Sequence, residues 1–155
     1  MKTQLPSTAV FSSSEIQIHY KRPLYDSMSY ITHAGDADRI LKTFIDMHRI
    51  DLKEFFWVVL LNQANRVLGI SEIAMGTTSG VLVNVKEICQ LALLTCATHL
   101  IVCHNHPSGN LSASVSDKEM TTKIKEALTL FDITLLDHII ITSESFYSFA
   151  NEGLL

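Results

Sequence analysis

His104-Asn105-His106-Pro107-Ser108-Gly109, followed by Ser114-Val115-Ser116-Asp117, is the stretch on which the reading of this chain turns. The residues before it, Thr98 to Cys103, form a short β-prone apolar run. Side chains at i and i+2 of a strand share a face, so His104 and His106 project together where the strand ends. Pro107 and Gly109 then break the pairing and turn the chain. Two imidazoles and the carboxylate of Asp117 supply three N/O ligands. That donor set is the catalytic type of zinc site, with the fourth tetrahedral position open. Ser114-x-x-Asp117 also has a purely local meaning. Ser114 caps a helix and Asp117 sits in its first turn, where the helix dipole favours a negative charge. The two meanings are compatible, because a first-turn carboxylate can still face a metal at the adjacent strand end.

The bulk properties narrow the class. A chain of 155 residues with 47 % hydrophobic and 18 % charged residues is expected to form one globular domain. Its net charge of −4 and pI near 5.9 supply no basic stripe for phosphate backbones, so direct nucleic-acid binding is not expected. Three cysteines, Cys89, Cys96 and Cys103, without a C-x-x-C, argue against a disulfide framework. They are expected to be small buried apolar residues in a reducing compartment. No signal-peptide pattern is visible, and the longest apolar run, Phe55 to Leu61, is too short to span a bilayer. A cytoplasmic protein without membrane attachment is the expectation.

In chain order, residues 1–14 read as a flexible leader, and residues 15–34 as an N-terminal strand, Glu15 to Tyr20, with an irregular connector. Residues 35–155 make the main domain. Its first helix is expected to start near a cap on Asp36, with Ala37, Ile40, Leu41, Phe44 and His48 following the i, i+3, i+4 pattern of one face. Glu54 to Leu61 suits a strand buried on both faces, and Arg66 to Met75 its antiparallel hairpin partner. Gly76 to Gly80 lacks the lysine of a phosphate-binding loop. A largely buried helix is expected from an Asn84 cap to about Ala97. A third spans about Val115 to Phe131, followed by strands at Ile133–Thr142 and Phe146–Phe149. Helices between strands, with an early hairpin, imply an α/β sandwich around a mixed sheet.

Hydrolysis at such a metal needs a base. Simple alternation puts Glu72 in line with Leu68, Ile70 and Ala74, and a carboxylate on an apolar strand face needs a partner or a task. Burial would raise its pKa, as suits proton transfer. The competing reading pairs Glu72 with a Lys or Arg, or with solvent. Ser114 could donate to the oxyanion of a tetrahedral intermediate as well as cap its helix. The zinc-deaminase pattern is absent. His138 reads as structural, or as an outer hydrogen-bond partner of a metal ligand.

Glu72, His104-x-His106-Pro107 and Ser114-x-x-Asp117 together resemble the JAMM motif of JAB/MPN-domain metalloproteases. His-Asn-His-Pro-Ser-Gly, the segment Leu61 to Gly69 and Leu135-Leu136-Asp137-His138 are similar to the RadC-like branch. The resemblance covers roughly residues 35–155. It implies a cytidine-deaminase-like α-β-α sandwich, one Zn²⁺ per chain on His104, His106 and Asp117, Glu72 as base and Ser114 at the oxyanion. It further implies hydrolysis of peptide or isopeptide bonds in a protein substrate, often at an attached tail. Two departures stand out. The residues before the domain are too few for the helix-hairpin-helix module usual in RadC proteins, which weakens a DNA-repair accessory role. Ala113 also stands where the branch usually has proline. A catalytically silent metal-binding scaffold is the other reading.

Overall fold

Phe55–Leu61 is a run of seven buried residues, and no two-layer arrangement could cover both of its faces. The computed structural model describes residue 17 and residues 19–78 and 80–155. In it this run is strand β1, inside a five-stranded sheet of order β2-β1-β3-β4-β5. The other strands are β2 (Val67–Met75), β3 (His99–Asn105), β4 (Thr134–Ile141) and β5 (Phe146–Ser148). Only the β3–β4 pair is parallel, so the sheet is mixed.

Three helices cover the two faces. Helix α1 (Ala34–Phe44) packs Ala37 and Leu41 against Phe55, Trp57, Val59, Ile101 and Cys103. Helices α2 (Val85–Leu94) and α3 (Val115–Thr129) cover the other face, where Ile88, Ala92, Ile124 and Leu128 meet Phe56, Val58, Leu60, Leu100 and Val102. The expected single-domain α/β sandwich, in α-β-α layers, is therefore what forms. Alternation along β1 and β3 divides the two cores. It leaves His104 on the α2/α3 face, opposite Phe56.

Several details differ from the sequence reading. The cap of α1 is His33, whose Nδ1 accepts the Asp36 N–H at 3.3 Å; Asp36 instead accepts from the Thr32 N–H and hydroxyl. Helix α2 ends three residues early, because Cys96 takes a left-handed φ of 52°. Its outer face leaves Leu93 and Leu94 exposed, so it is half-covered rather than largely buried. Cys103 is buried, but Cys89 is half-buried and Cys96 exposed, and all three are free thiols. Helix α3 stops before Phe131, which is exposed. The expected leader lies outside the described residues. So does most of the expected strand Glu15–Tyr20, whose described residues 17, 19 and 20 carry no strand. Among the described residues, no helix is long and apolar enough to cross a membrane.

Candidate metal centre

The C-terminal end of β3 opens into a cavity of about 200 Å³ between the sheet and the start of α3. His104, His106, Ser114, Asp117, His138 and Glu54 line it together with Phe56, Met120, Val81 and Val83. The His106-Pro107-Ser108-Gly109 turn closes the strand: the Gly109 N–H donates to the His106 carbonyl at 3.0 Å, and Gly109 takes the φ of +77° that favours glycine. Gly76 permits the opposite wall. A Cβ there would run into the Gly80 carbonyl, which accepts the Thr77 N–H at 2.8 Å and shapes the loop leading to Val81.

The three expected ligands come together. His104 Nε2 and His106 Nε2 are 3.0 Å apart. Asp117 Oδ1 lies 3.3 Å from His104 Nε2, and Oδ2 lies 3.6 Å from His106 Nε2. Among the described residues no other group of three such side chains assembles in this way. Zinc bonds of about 2.0–2.1 Å in tetrahedral geometry hold donor atoms about 3.3 Å apart, close to the spacing of these side chains.

Each ligand is oriented by a neighbour. The carbonyl of Asn110 can only accept, so its 2.6 Å contact with His106 Nδ1 places a hydrogen there and makes Nε2 the nitrogen that bears the lone pair when the ring is neutral. Ser114 and Asp117 form the expected capping box. The Asp117 N–H donates to Ser114 Oγ at 3.1 Å, and the Ser114 N–H and hydroxyl both donate to Asp117 Oδ2 at 2.7 Å. Oδ1 is thereby left to the cavity. Helix cap and candidate metal ligand are one arrangement.

Electrostatics follow this geometry. Burial pulls Asp117 upward, but its contacts with the His104 and His106 imidazoles and the hydrogen bond from Ser114 outweigh it and hold the carboxylate well below its usual range. The hydrogen bond to Asp117 raises His106 above 6.5 against the effect of burial. Burial drives His138 well below 6.5, so it is neutral.

Glu72 is not brought to this cluster. The pairing of β1 with β2 shifts register between Phe56 and Trp57 and again between Leu60 and Leu61. The first shift absorbs Ile73 as a bulge: Ala74 pairs with Phe56, but Glu72 pairs with Trp57. Ile70 and Glu72 therefore share the α1 face, whereas Leu68 and Ala74 belong to the other. On that far face Glu72 is 3.5 Å from Arg49, whose guanidinium sits 4.3 Å over the Phe55 ring. The pairing with an arginine, one of the two readings of Glu72, is the one found.

The carboxylate that does line the cavity is Glu54. It shares the phase of Phe56, Val58 and Leu60. The β1–β3 register, Phe56 opposite His104, would set it opposite His106 if continued by two pairs. Its sequence mark was slight: an ionisable residue at the head of an apolar strand, two before Phe56. The backbone here is firmly held. Glu54 exchanges hydrogen bonds with Gly76 and Thr77 at 2.8 Å. Asn105, alternating to the far face between the two histidines, binds the segment just before β1. Its Oδ1 accepts the Phe55 N–H at 2.6 Å, and its Nδ2 donates to the carbonyls of Ile50 at 2.5 Å and Lys53 at 2.8 Å.

The fold and site define a three-layer α/β domain with a His-x-His and Asp metal-type cluster at the end of a central strand. The chain belongs to the RadC-like JAB domain family, which it matches over residues 31–154. It is 46 % identical over 125 residues to a UPF0758 protein of Flavobacterium johnsoniae, covering 80 % of this chain and 53 % of that one. A UPF0758 protein of Coxiella burnetii is 35 % identical over 144 residues, covering 93 % of this chain and 63 % of its own length. A third, from Pasteurella multocida, is 42 % identical over 103 residues, 66 % of this chain and 46 % of that one. The chain thus spans about half to two thirds of the length of these relatives.

Proposed function

We propose that this chain is a zinc-dependent hydrolase of amide bonds, acting on a peptide or an isopeptide-linked protein tail, with Glu54 rather than Glu72 as its base. The observation that carries the reading is the position of Glu54: a half-buried carboxylate on the same sheet face as a donor triad spaced for zinc, in one open cavity. When bound to the triad, zinc would act as a Lewis acid on the carbonyl and acidify water. Glu54 would take the proton from the attacking water and return it to the departing amide nitrogen. Met120, Val81 and Val83 would give the substrate chain an apolar wall. Ser114 has its hydroxyl hydrogen on Asp117, so its first task is to aim that ligand; helping an oxyanion would require the hydroxyl to rotate.

The test combines metal content with turnover. Wild type, Glu54→Gln, Glu72→Gln and His104→Ala are loaded with zinc, dialysed, assayed for metal and offered a panel of peptide and isopeptide substrates. One zinc per chain is expected in all but His104→Ala. Activity should survive in Glu72→Gln and fall about 10²–10⁴-fold in Glu54→Gln, the usual weight of a positioned acid–base group. A wild type that takes up no divalent metal defeats the site reading. A zinc-loaded wild type no more active than Glu54→Gln defeats the hydrolase reading and leaves the metal-binding scaffold.

A further inference from the structure

The two imidazoles of the triad are held differently. A backbone carbonyl fixes the tautomer of His106 directly. Among the described residues His104 Nδ1 meets no carbonyl or carboxylate. It faces His138 Nε2 at 2.7 Å, and a neutral imidazole nitrogen can donate or accept. Whether His104 offers a lone pair or an N–H to the cavity therefore depends on which way that bond runs.

The direction can be worked out from the far end of a hydrogen-bonded chain. Thr121 Oγ1 lies 2.6 Å from the Asp117 carbonyl, one turn back along α3, and 2.5 Å from His138 Nδ1. A carbonyl has no hydrogen to give, so at 2.6 Å the threonine hydrogen must point to it; otherwise two oxygen lone pairs would face each other. The hydroxyl then accepts from His138, which places the His138 hydrogen on Nδ1. His138 is 1 % exposed, and among the described residues its ring nitrogens meet only Thr121 and His104, so it is neutral and its Nε2 carries a lone pair. His104 must then donate from Nδ1, which leaves Nε2 free to bind a metal. Phe149 stacks on the His138 ring at 4.6 Å and 21°, and Phe56 meets its edge at 5.8 Å, so the ring cannot turn to reverse the order.

We propose that Thr121 and His138 are positioning residues that fix His104 as the Nδ1–H tautomer and so present its Nε2 lone pair to the metal. The chain of bonds begins at the carbonyl of Asp117, itself a ligand, and ends at His104, another. One turn of α3 therefore sets both. The proposal rests on the metal reading above, but its failure is separable from the failure of that reading.

The test uses the full chain, wild type, Thr121→Val and Thr121→Ser. Nitrogen-15 NMR of labelled histidine in metal-free protein, above neutral pH, reports which ring nitrogen of His104 is protonated. Zinc affinity is measured by competition with a chromophoric chelator. Wild type is expected to show His104 protonated at Nδ1. Thr121→Val removes the acceptor for His138 Nδ1–H, so His104 should shift toward the Nε2–H form and zinc affinity should fall about 10–100-fold, the usual cost of losing an outer hydrogen-bond partner. Thr121→Ser should restore both within about threefold. A merely structural threonine would lower the melting temperature without moving the tautomer. Wild-type His104 protonated at Nε2 overturns the proposal even if no variant folds. So does a Thr121→Val protein with unchanged tautomer and affinity. A wild type that binds no zinc at all defeats the metal reading instead.

Discussion

Replacing Asn105 with alanine should be among the most destabilising single changes in this domain. Its side chain is fully buried and makes three hydrogen bonds, none to another side chain: it accepts from Phe55 and donates to Ile50 and Lys53. The chain from Ile50 to Phe55 contains no helix or strand of its own before β1, so these backbone groups depend on the amide. Alanine would orphan the buried Phe55 N–H and Ile50 carbonyl at roughly 1–3 kcal/mol each, and the partly buried Lys53 carbonyl at less. A loss of about 3–5 kcal/mol follows, a large share of the stability of an ordinary domain. Urea unfolding of metal-free protein, followed by Trp57 fluorescence, measures it as a lower midpoint at constant slope. Asn105→Asp should do no better. It keeps the acceptor for Phe55 but turns oxygen toward two carbonyls. A loss under about 1 kcal/mol for Asn105→Ala would refute the reasoning, because the loop would then be held by something other than this amide.

Two further outcomes are expected. Glu72→Gln should change stability by less than about 1 kcal/mol in the same unfolding experiment, since the Arg49–Glu72 pair is loose and about two-fifths exposed; a loss above 2 kcal/mol would mean that Glu72 does more than pair with Arg49. The stabilisation conferred by zinc should grow with pH. His106 is raised by its bond to Asp117, so its contribution to the metal-free fold is complete below about 6.5 and fades as pH rises through the raised value. Asp117 is depressed, so its share is present above about 3.8 and fades only as pH falls through the lower folded value. Between these limits the metal-free pair is at full strength and zinc must displace the His106 proton, which costs up to about tenfold in affinity per pH unit. Thermal melts with and without zinc at pH 5.5, 7 and 8 should show a widening gap; a gap constant with pH would contradict the protonated pair.

The triad was legible in the sequence because its geometry is local at each point. Period-two alternation gives the two histidines one face, and a capping box gives Asp117 its place in a first turn. The proposed base was not legible for a reason that lies in the sheet. Alternation carries a residue's phase along a strand only while pairing is regular, and β2 contains two shifts of register. Glu72 kept company with Ile70 but lost Leu68 and Ala74, and so changed faces. Glu54 belongs to the site by a register between β1 and β3 that no local pattern encodes. The same holds for Thr121 and His138, seventeen residues apart and joined only through the packing of α3 on β4.

The organisation of the site then follows from one strand end. His104 and His106 point to the α2/α3 face, and Asn105 between them points to the other. The candidate ligands frame one side of the cavity, and the asparagine holds the backbone from Ile50 to Phe55, the segment that delivers Glu54 across the sheet. The proposed base stands just before β1 and the two histidines at the end of β3, yet three consecutive residues, His104 to His106, set the distance between them. A change at Asn105 should therefore move Glu54 without touching the triad. In a folded Asn105→Ser, zinc affinity should stay within about threefold of wild type while turnover falls at least tenfold, the mark of a misplaced acid–base group. Loss of zinc binding in step with turnover would show instead that the strand end collapses as a unit, and that the two faces of β3 do not divide the work.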